Sequence, residues 1–399
     1  MTDTTAVNPL LEDDEDEFTV TNPMLDEDED ETVAAPTRPL LNLPSKAPAQ
    51  TPAAPKVLKV GDKGYNLGGK HPHKGTPRAH ATANDAPGLA FMYEVKVVDL
   101  MTFSMALRTA ASPISVGGRM PSEGGARKKL VRLERLGLVE SVYSRDDGKQ
   151  LWGVTEAGIS AAQRYGFILD DNLPSWKSIK DMKRKTLAHS RAIGTVAAHL
   201  MAGNYKESLG IGAVDFKQLV SEDKMRRDQK SVSDAVKVRE DTNFGIERRK
   251  TVAAARAELE AGTLDRSHLF LKYPELLVMG YSKDFDDGNF IHEHWADLVV
   301  LLDRTPGGPK GKNVMIEVEL NKKGWVHLRK LFNTYVKEFQ DGTVFERVIY
   351  VVHWSEVENL IRAVDKDGKF GLIKSGRLVI TSLTDRYGNP VGRFDKLGD

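Results

Sequence analysis

The sequence predicts an α/β (α+β) protein with a small helix-and-hairpin unit followed by a larger mixed sheet flanked by helices. Three observations predict it. A basic amphipathic pattern from Ser122 to Leu136 is stopped by Gly137 and followed by two short strands around an Asp-Gly turn. Two apolar runs, Ala296–Leu302 and Val314–Leu320, flank a Gly/Pro/Lys turn and lead into a helical run through Leu331 and Tyr335. Residues 1–90 carry little periodic apolar content and read as a disordered tail.

Composition narrows the classes. The chain has 399 residues, 40% hydrophobic and 29% charged, enough for two ordinary domains and a tail. With no cysteine, disulfide frameworks, zinc fingers and thiol catalysis are excluded. Nothing resembles a signal peptide or an apolar membrane span, so a cytoplasmic protein with no membrane partner is expected. The net charge of zero hides an asymmetry. Residues 1–32 hold 13 acids and no Lys or Arg, whereas residues 33–90 hold 8 bases and 2 acids. An acidic tail on a basic body is common among nucleic-acid binders.

The tail contains a near repeat. Asn8-Pro9-Leu10-Leu11 precedes the acids 12–17, and Asn22-Pro23-Met24-Leu25 precedes the acids 26–31. Three readings stand: a solubilising acidic tail, two copies of a docking motif for a protein partner, or an acidic strip that competes with DNA for the basic body. Residues 56–80 read as a linker or as a basic arm on phosphate.

The first folded unit is expected at 91–170. Tyr93–Ala111 reads as a helix, broken by Ser112-Pro113-Ile114 and Gly117-Gly118. Ala126, Leu130, Leu133 and Leu136 stripe the next helix, with cations around the remainder. A strand over Leu138–Ser144, the turn Arg145–Gln150, a strand over Leu151–Val154 and a helix opened by Thr155 complete it. Helix, short helix, basic helix, two-stranded wing and helix resemble the winged helix-turn-helix of bacterial regulators. The resemblance implies double-stranded DNA as partner. It points to Arg127, Lys128, Lys129 and Arg132 for groove and phosphate contact, and to Arg145 and Lys149 for the wing. The other reading is that these cations only solvate an exposed face, or that the unit dimerises.

Residues 171–185 read as a linker. A second unit is expected at 186–399, with a helix through His189 and Leu200, a strand at Ala213–Phe216 and a capped turn at Ser221–Arg227. Further strands are expected at Leu276–Gly280, Val348–Val352 and Arg377–Thr381. Helices are expected over Thr242–Glu260, Trp325–Phe339 and Ser355–Val364, the last with a Ser355/Glu358 capping box. His189 and His199 read as packing or surface residues, and Glu222 is open as an accessory acid.

The chemistry lies in the strand Val314–Leu320. Strand alternation puts Met315, Glu317, Glu319 and Asn321 on one face and Ile316, Val318 and Leu320 on the other. Acids in so apolar a strand require a cation, a base or water. Asp297 and Glu317 can meet across neighbouring strands, with Glu319 beside them, as ligands for Mg²⁺ or Mn²⁺. Lys322 and Lys323 lie past the position where a lysine is expected to complete such a site; the other reading is that the three acids pair with Lys322, Lys323, Arg329 and Lys330 in a structural network. The spacing Asp297, then Glu317-x-Glu319, then a helix with Tyr335, resembles the restriction-endonuclease-like core.

The layout of 91–355 resembles the replication-relaxation family of actinobacterial plasmids, integrative elements and phages. The matching stretches are Ala126–Val139, Thr155–Gly158, His189–Leu200 with Ser221-Glu222, Trp295–Asp297, Ile316–Leu320 and Leu331–Tyr335. That family pairs a winged helix with an endonuclease-like domain. The resemblance implies a DNA-binding protein of a mobile element or phage, acting in replication or transfer initiation. Asp297, Glu317 and Glu319 stand at the catalytic and metal positions. Glu319 occupies the place of the superfamily's lysine, which suits either a nickase or a degenerate site. The alternative is a non-enzymatic transcriptional regulator or adaptor, monomeric or homodimeric. His292-Glu293-His294 lacks the apolar residue that a relaxase histidine pair needs between its histidines, and Tyr335 reads as packing under the acids.

Overall fold

The computed structural model describes residues 80–107, 122–145, 148–168, 177–226, 244–281, 292–302, 313–341 and 344–384. The Ser-Pro-Ile and Gly-Gly breaks, the acidic repeat and residues 56–79 lie outside them.

The expected helix Tyr93–Ala111 is two helices. Helix α1 spans Ala86–Val95 and α2 spans Leu100–Leu107, with a short strand β1 at Val98–Asp99 between them. The β-branched Val97-Val98 pair favours extended backbone. The Asp99 carboxylate then accepts the Thr102 N–H at 2.8 Å and restarts the helix. Folded chain begins earlier than residue 91: Ala83, Ala86, Leu89 and Ala90 are all buried.

Helix α3 spans Glu123–Arg135, and Ser122 caps it by accepting the Gly125 N–H. Ala126, Leu130 and Leu133 are buried, as the stripe predicts. Gly137 takes a φ of 68°, the left-handed turn that ends the helix. Strands β2 (Val139–Tyr143) and β3 (Gln150–Val154) form an antiparallel hairpin, and β1 adds on the other side of β3. Helix α4 (Glu156–Arg164) opens on the Thr155 cap.

Helix α5 (Arg184–Ala202) is the wall against which both parts of the molecule pack. On one side, Arg191 holds Asp99 through Nη2 at 2.9 Å and Nε at 3.1 Å, with both residues buried. Thr195 and Thr102 meet through their hydroxyls at 3.1 Å. A Cβ on Gly194 would lie 2.7 Å from the Val97 carbonyl oxygen, so only glycine permits this approach. A single cluster of buried residues runs from Leu89, Leu130 and Trp152 through Val196 to Ile316 and Val318.

Strands β4 (Leu219–Ser221), β7 (Leu298–Val300), β8 (Asn313–Glu319), β9 (Phe345–Val352) and β10 (Leu378–Ser382) form a mixed sheet of order β10-β9-β8-β7-β4. The pairs β4–β7 and β7–β8 are antiparallel, while β8–β9 and β9–β10 are parallel. Helix α7 (Trp325–Asp341) crosses from β8 to β9, and α8 (Ser355–Asp367) from β9 to β10. Helix α6 (Phe244–Glu260) and a separate pair, β5 (Met279–Tyr281) with β6 (His292–His294), lie between β4 and β7 in sequence. Among the described residues no helix is long and apolar enough to cross a membrane.

Two local expectations change. The strand placed at Ala213–Phe216 falls at Leu219–Ser221. Asp215 instead caps a 3₁₀ turn, accepting the Lys217 N–H at 2.8 Å while Gln218 Oε1 accepts the Asp215 N–H at 2.7 Å. The Ser355/Glu358 capping box does not form. Trp354 is the N-cap, and Glu358 turns to Arg362 at 2.7 Å.

Candidate functional site

Strand β8 holds the acid cluster. All its residues are buried, and its faces divide as the alternation predicts. Ile316 and Val318 join the core against α5, whereas Met315 joins the core against α7. Glu317 and Glu319 share the α7 side with Tyr335 and Tyr350.

The β7–β8 register ends at Leu298↔Ile316. Beyond it the Val318 peptide has no strand partner on that side, and two side chains take over. Asp297 Oδ2 accepts the Val318 N–H at 2.7 Å. His189 Nε2 donates to the Val318 carbonyl at 3.0 Å and lies 3.4 Å from Asp297 Oδ2. The Asp297 carboxylate beside it, against the opposing effect of burial, raises the His189 pKa to about 9. Burial pushes the Asp297 carboxyl up, but His189 and the Val318 N–H outweigh it and hold it below the usual carboxylate range. The pair is an ionic clamp closing the end of the β7–β8 ladder.

The other two acids are also partnered. Glu317 Oε1 accepts from His294 Nε2 at 2.9 Å, and Tyr335 Oη lies 3.2 Å from that nitrogen and 3.2 Å from Tyr350 Oη. Lys323 reaches back from beyond the strand to pair with Glu319 and lies 3.8 Å from Glu317 Oε2. Burial pushes Glu319 up to about 7, with Glu317 adding to it and Lys323 opposing. Burial lowers the Lys323 pKa, but the two glutamates outweigh it and keep the ammonium protonated. Tyr335 is fully buried, and burial with the neighbouring anions raises its phenol well above 10. That is packing under the acids, as expected, and not a poised nucleophile.

Asp297, Glu317 and Glu319 therefore lie close together but are not brought to one coordination point. Among the described residues no group of three or more His, Asp or Glu side chains is disposed to hold a metal ion. The donor set does not fit a divalent ion as it stands. The Lys323 ammonium fills the cation position between Glu317 and Glu319, and Asp297 is committed to a peptide and an imidazole. Glu222, open as an accessory acid, pairs with Arg226 at 2.6 Å. Sequence reasoning left His189 as a packing or surface residue, and offered Lys323 only as one of several cations that could pair with the acids. The signal for Lys323 was its spacing of four from Glu319, which a turn after a strand can fold back.

The second cluster is cationic. Arg127 and Lys128 on α3, and Arg145 and Lys149 on the β2–β3 hairpin, are exposed. A cleft of about 350 Å³ opens between helix and hairpin, with Arg127, Tyr143, Lys149 and Trp152 in its walls. Tyr143, missed by sequence reasoning, is 71% exposed and stands beside the two cations. Asp99, paired with Arg191, forms part of the floor. Lys129 and Arg132 depart from expectation. Lys129 donates to the Asn84 carbonyl and lies 3.6 Å from Asp85, and Arg132 pairs with the buried Asp85 carboxylate. Burial raises the Asp85 pKa, yet Lys129 and Arg132 outweigh it and hold the group ionised. These two cations fasten α3 to the start of α1 and are not both available to an outside ligand.

Comparison with protein-family models, curated proteins and solved structures finds no match to this chain.

Proposed function

We propose that this is a DNA-binding protein whose α3 and β2–β3 hairpin engage duplex DNA in winged-helix fashion. The observation that carries the reading is the pair of exposed cations, Arg127 and Lys149, on opposite walls of one cleft beside the exposed Tyr143. A helix and a hairpin presenting cations together match the phosphate and groove contacts of a winged helix. The order α1-β1-α2-α3-β2-β3 supports it. An antiparallel meander, a crossover helix and a parallel strand likewise support an endonuclease-like sheet behind it.

The acids of that sheet serve structure in this reading. Each is matched to a base, a cation or a peptide N–H, so the second part is a scaffold and not a Mg²⁺- or Mn²⁺-dependent nickase. The resemblance to replication-relaxation proteins makes a role at a plasmid or phage replication origin the natural biological setting, with transcriptional regulation as the alternative.

Duplex binding by the full chain is measured across a salt series. Affinity should fall steeply with salt, and R127Q/K149Q should flatten the slope by about 2, one per phosphate contact. No retention of any duplex at about 50 mM salt would sink the reading. Supercoiled plasmid with Mg²⁺ or Mn²⁺ tests the scaffold. Nicking by the wild type that D297A abolishes would make the protein an enzyme.

A further inference from the structure

We infer that Lys177, Lys183 and Lys185, on the segment leading into α5, form a second phosphate-contact surface that takes the duplex backbone beyond the stretch held by α3. The inference rests on the DNA-binding reading above and deepens it, because it sets how far along the duplex the protein reaches.

The first observation is how the segment is held. Successive residues of β2 point to opposite faces of the hairpin, and two neighbours hold different layers. Ser141 donates to Glu134 of α3 at 2.5 Å. The adjacent Glu140 turns to the other face, where its Oε1 accepts from Ser178 Oγ at 2.5 Å and from the Ile179 N–H at 2.9 Å. Ile179 is buried with Val97 and Leu151, and Val142 and Met182 pack against that cluster. A Cβ on Gly153, the residue paired with Glu140 across the hairpin, would lie 3.1 Å from Ile179 Cβ. Helix α3, the hairpin and residues 177–185 are therefore three packed layers.

The second is charge. Residues 177–185 carry five cations against one acid, Asp181. Lys177, Lys183 and Lys185 are exposed, and no ion pair holds them among the described residues. Lys180 differs: it lies 3.7 Å from Glu140 and belongs to the tether. The cations do not serve the helix that follows. The first turn of α5 has no acid, Lys183 at its N-cap makes no side-chain cap, and the helix dipole opposes positive charge at that end. Like charges fastened together repel, and backbone phosphates relieve the repulsion.

The third is spacing. Packed layers lie roughly 10 Å apart, which puts the segment roughly 20 Å from α3 across the hairpin. At about 3.4 Å per base pair, that is about six base pairs from the bases facing α3. Phosphates at that distance belong to flanking duplex, where contacts add affinity and position without reading bases.

The test compares the full chain with K177Q/K183Q/K185Q on duplexes of about 10 and about 30 base pairs across a salt series. At about 50 mM salt the triple variant should lose about tenfold in affinity for the long duplex, with its salt slope lowered by about 2 to 3. Its loss on the short duplex should stay under about twofold, and K177R/K183R/K185R should bind both like the wild type. Equal losses on the two duplexes would mean that the lysines add only general attraction, and overturn the inference. No loss on either, while R127Q weakens both, also overturns it and leaves DNA binding standing. Wild type that retains neither duplex sinks the DNA-binding reading and this inference with it. Polyglutamate that binds the wild type as tightly as the long duplex, and is lost in the triple variant, would make this a surface for an acidic protein and overturn the assignment to DNA.

Discussion

The cations around α3 and the acids of β8 are both dense charge clusters, and they are resolved in opposite ways. Arg127, Lys128, Arg145 and Lys149 face solvent. Asp297, Glu317 and Glu319 are buried, and each has an internal counterpart. Charge that faces water can be reached by a ligand. Charge already neutralised inside a sheet must be unmade before it can bind anything. On the proposed DNA-binding reading, the first cluster serves recognition and the second architecture.

The strongest way to break that division is at the joint. Arg191 and Asp99 are a buried ion pair, with two guanidinium N–H groups on Asp99 Oδ2, linking α5 to the floor of the cationic cleft. R191M leaves Asp99 buried without its cation and should cost about 3–5 kcal/mol, read as a lowered denaturant midpoint. A loss under about 1 kcal/mol would mean the two parts are held together mainly by apolar packing. D297A comes next. It removes the acceptor of the Val318 N–H and the partner of His189, and about 2–3 kcal/mol of destabilisation is expected. If D297A is instead neutral for stability yet changes DNA processing, the acids belong with recognition and the comparison collapses.

How much of this the sequence could carry differs between the two regions. The stripe of α3, its Gly137 stop and the alternating faces of β8 depend on residues close in the chain, and local periodicity encodes them. Lys129 and Arg132 looked like ligand contacts because residues 81–85 were read as tail, and no local pattern says that Asp85 will be buried against a helix more than forty residues away. His189 was invisible for the same reason: its partner Asp297 lies more than a hundred residues on, and only the early end of β7 leaves the Val318 peptide for it. The partition of β8 was legible, and pairing of its acids with nearby lysines was one reading, but which partners each acid takes was not. That depends on Lys323 turning back and on His294 arriving from a separate hairpin.

The clamp has a pH signature. His189 is held at about 9 against an ordinary value of 6.5. Its contribution to stability is therefore fully present below about 6.5 and is lost as pH rises through about 9. Asp297 works in the other direction, contributing above the ordinary carboxylate range and losing its contribution as pH falls through its depressed value. Thermal midpoints should decline between about pH 7 and pH 10, and H189Q should remove that slope. A slope unchanged in H189Q would place the titrating group elsewhere.

The smallest effect sharpens the comparison inside the cationic face itself. Lys128 and Arg132 are one turn apart on α3, but only Arg132 is spent on Asp85. K128Q should weaken duplex binding by about threefold to tenfold and lower the salt slope by about 1, with stability unchanged within about 0.5 kcal/mol. R132Q should do the reverse: a loss of about 1–2 kcal/mol in stability from the buried Asp85, with the salt slope kept. Should both variants lower the slope equally, Asp85 releases Arg132 when DNA arrives, and the line between structural and recognising cations on this helix would have to be redrawn.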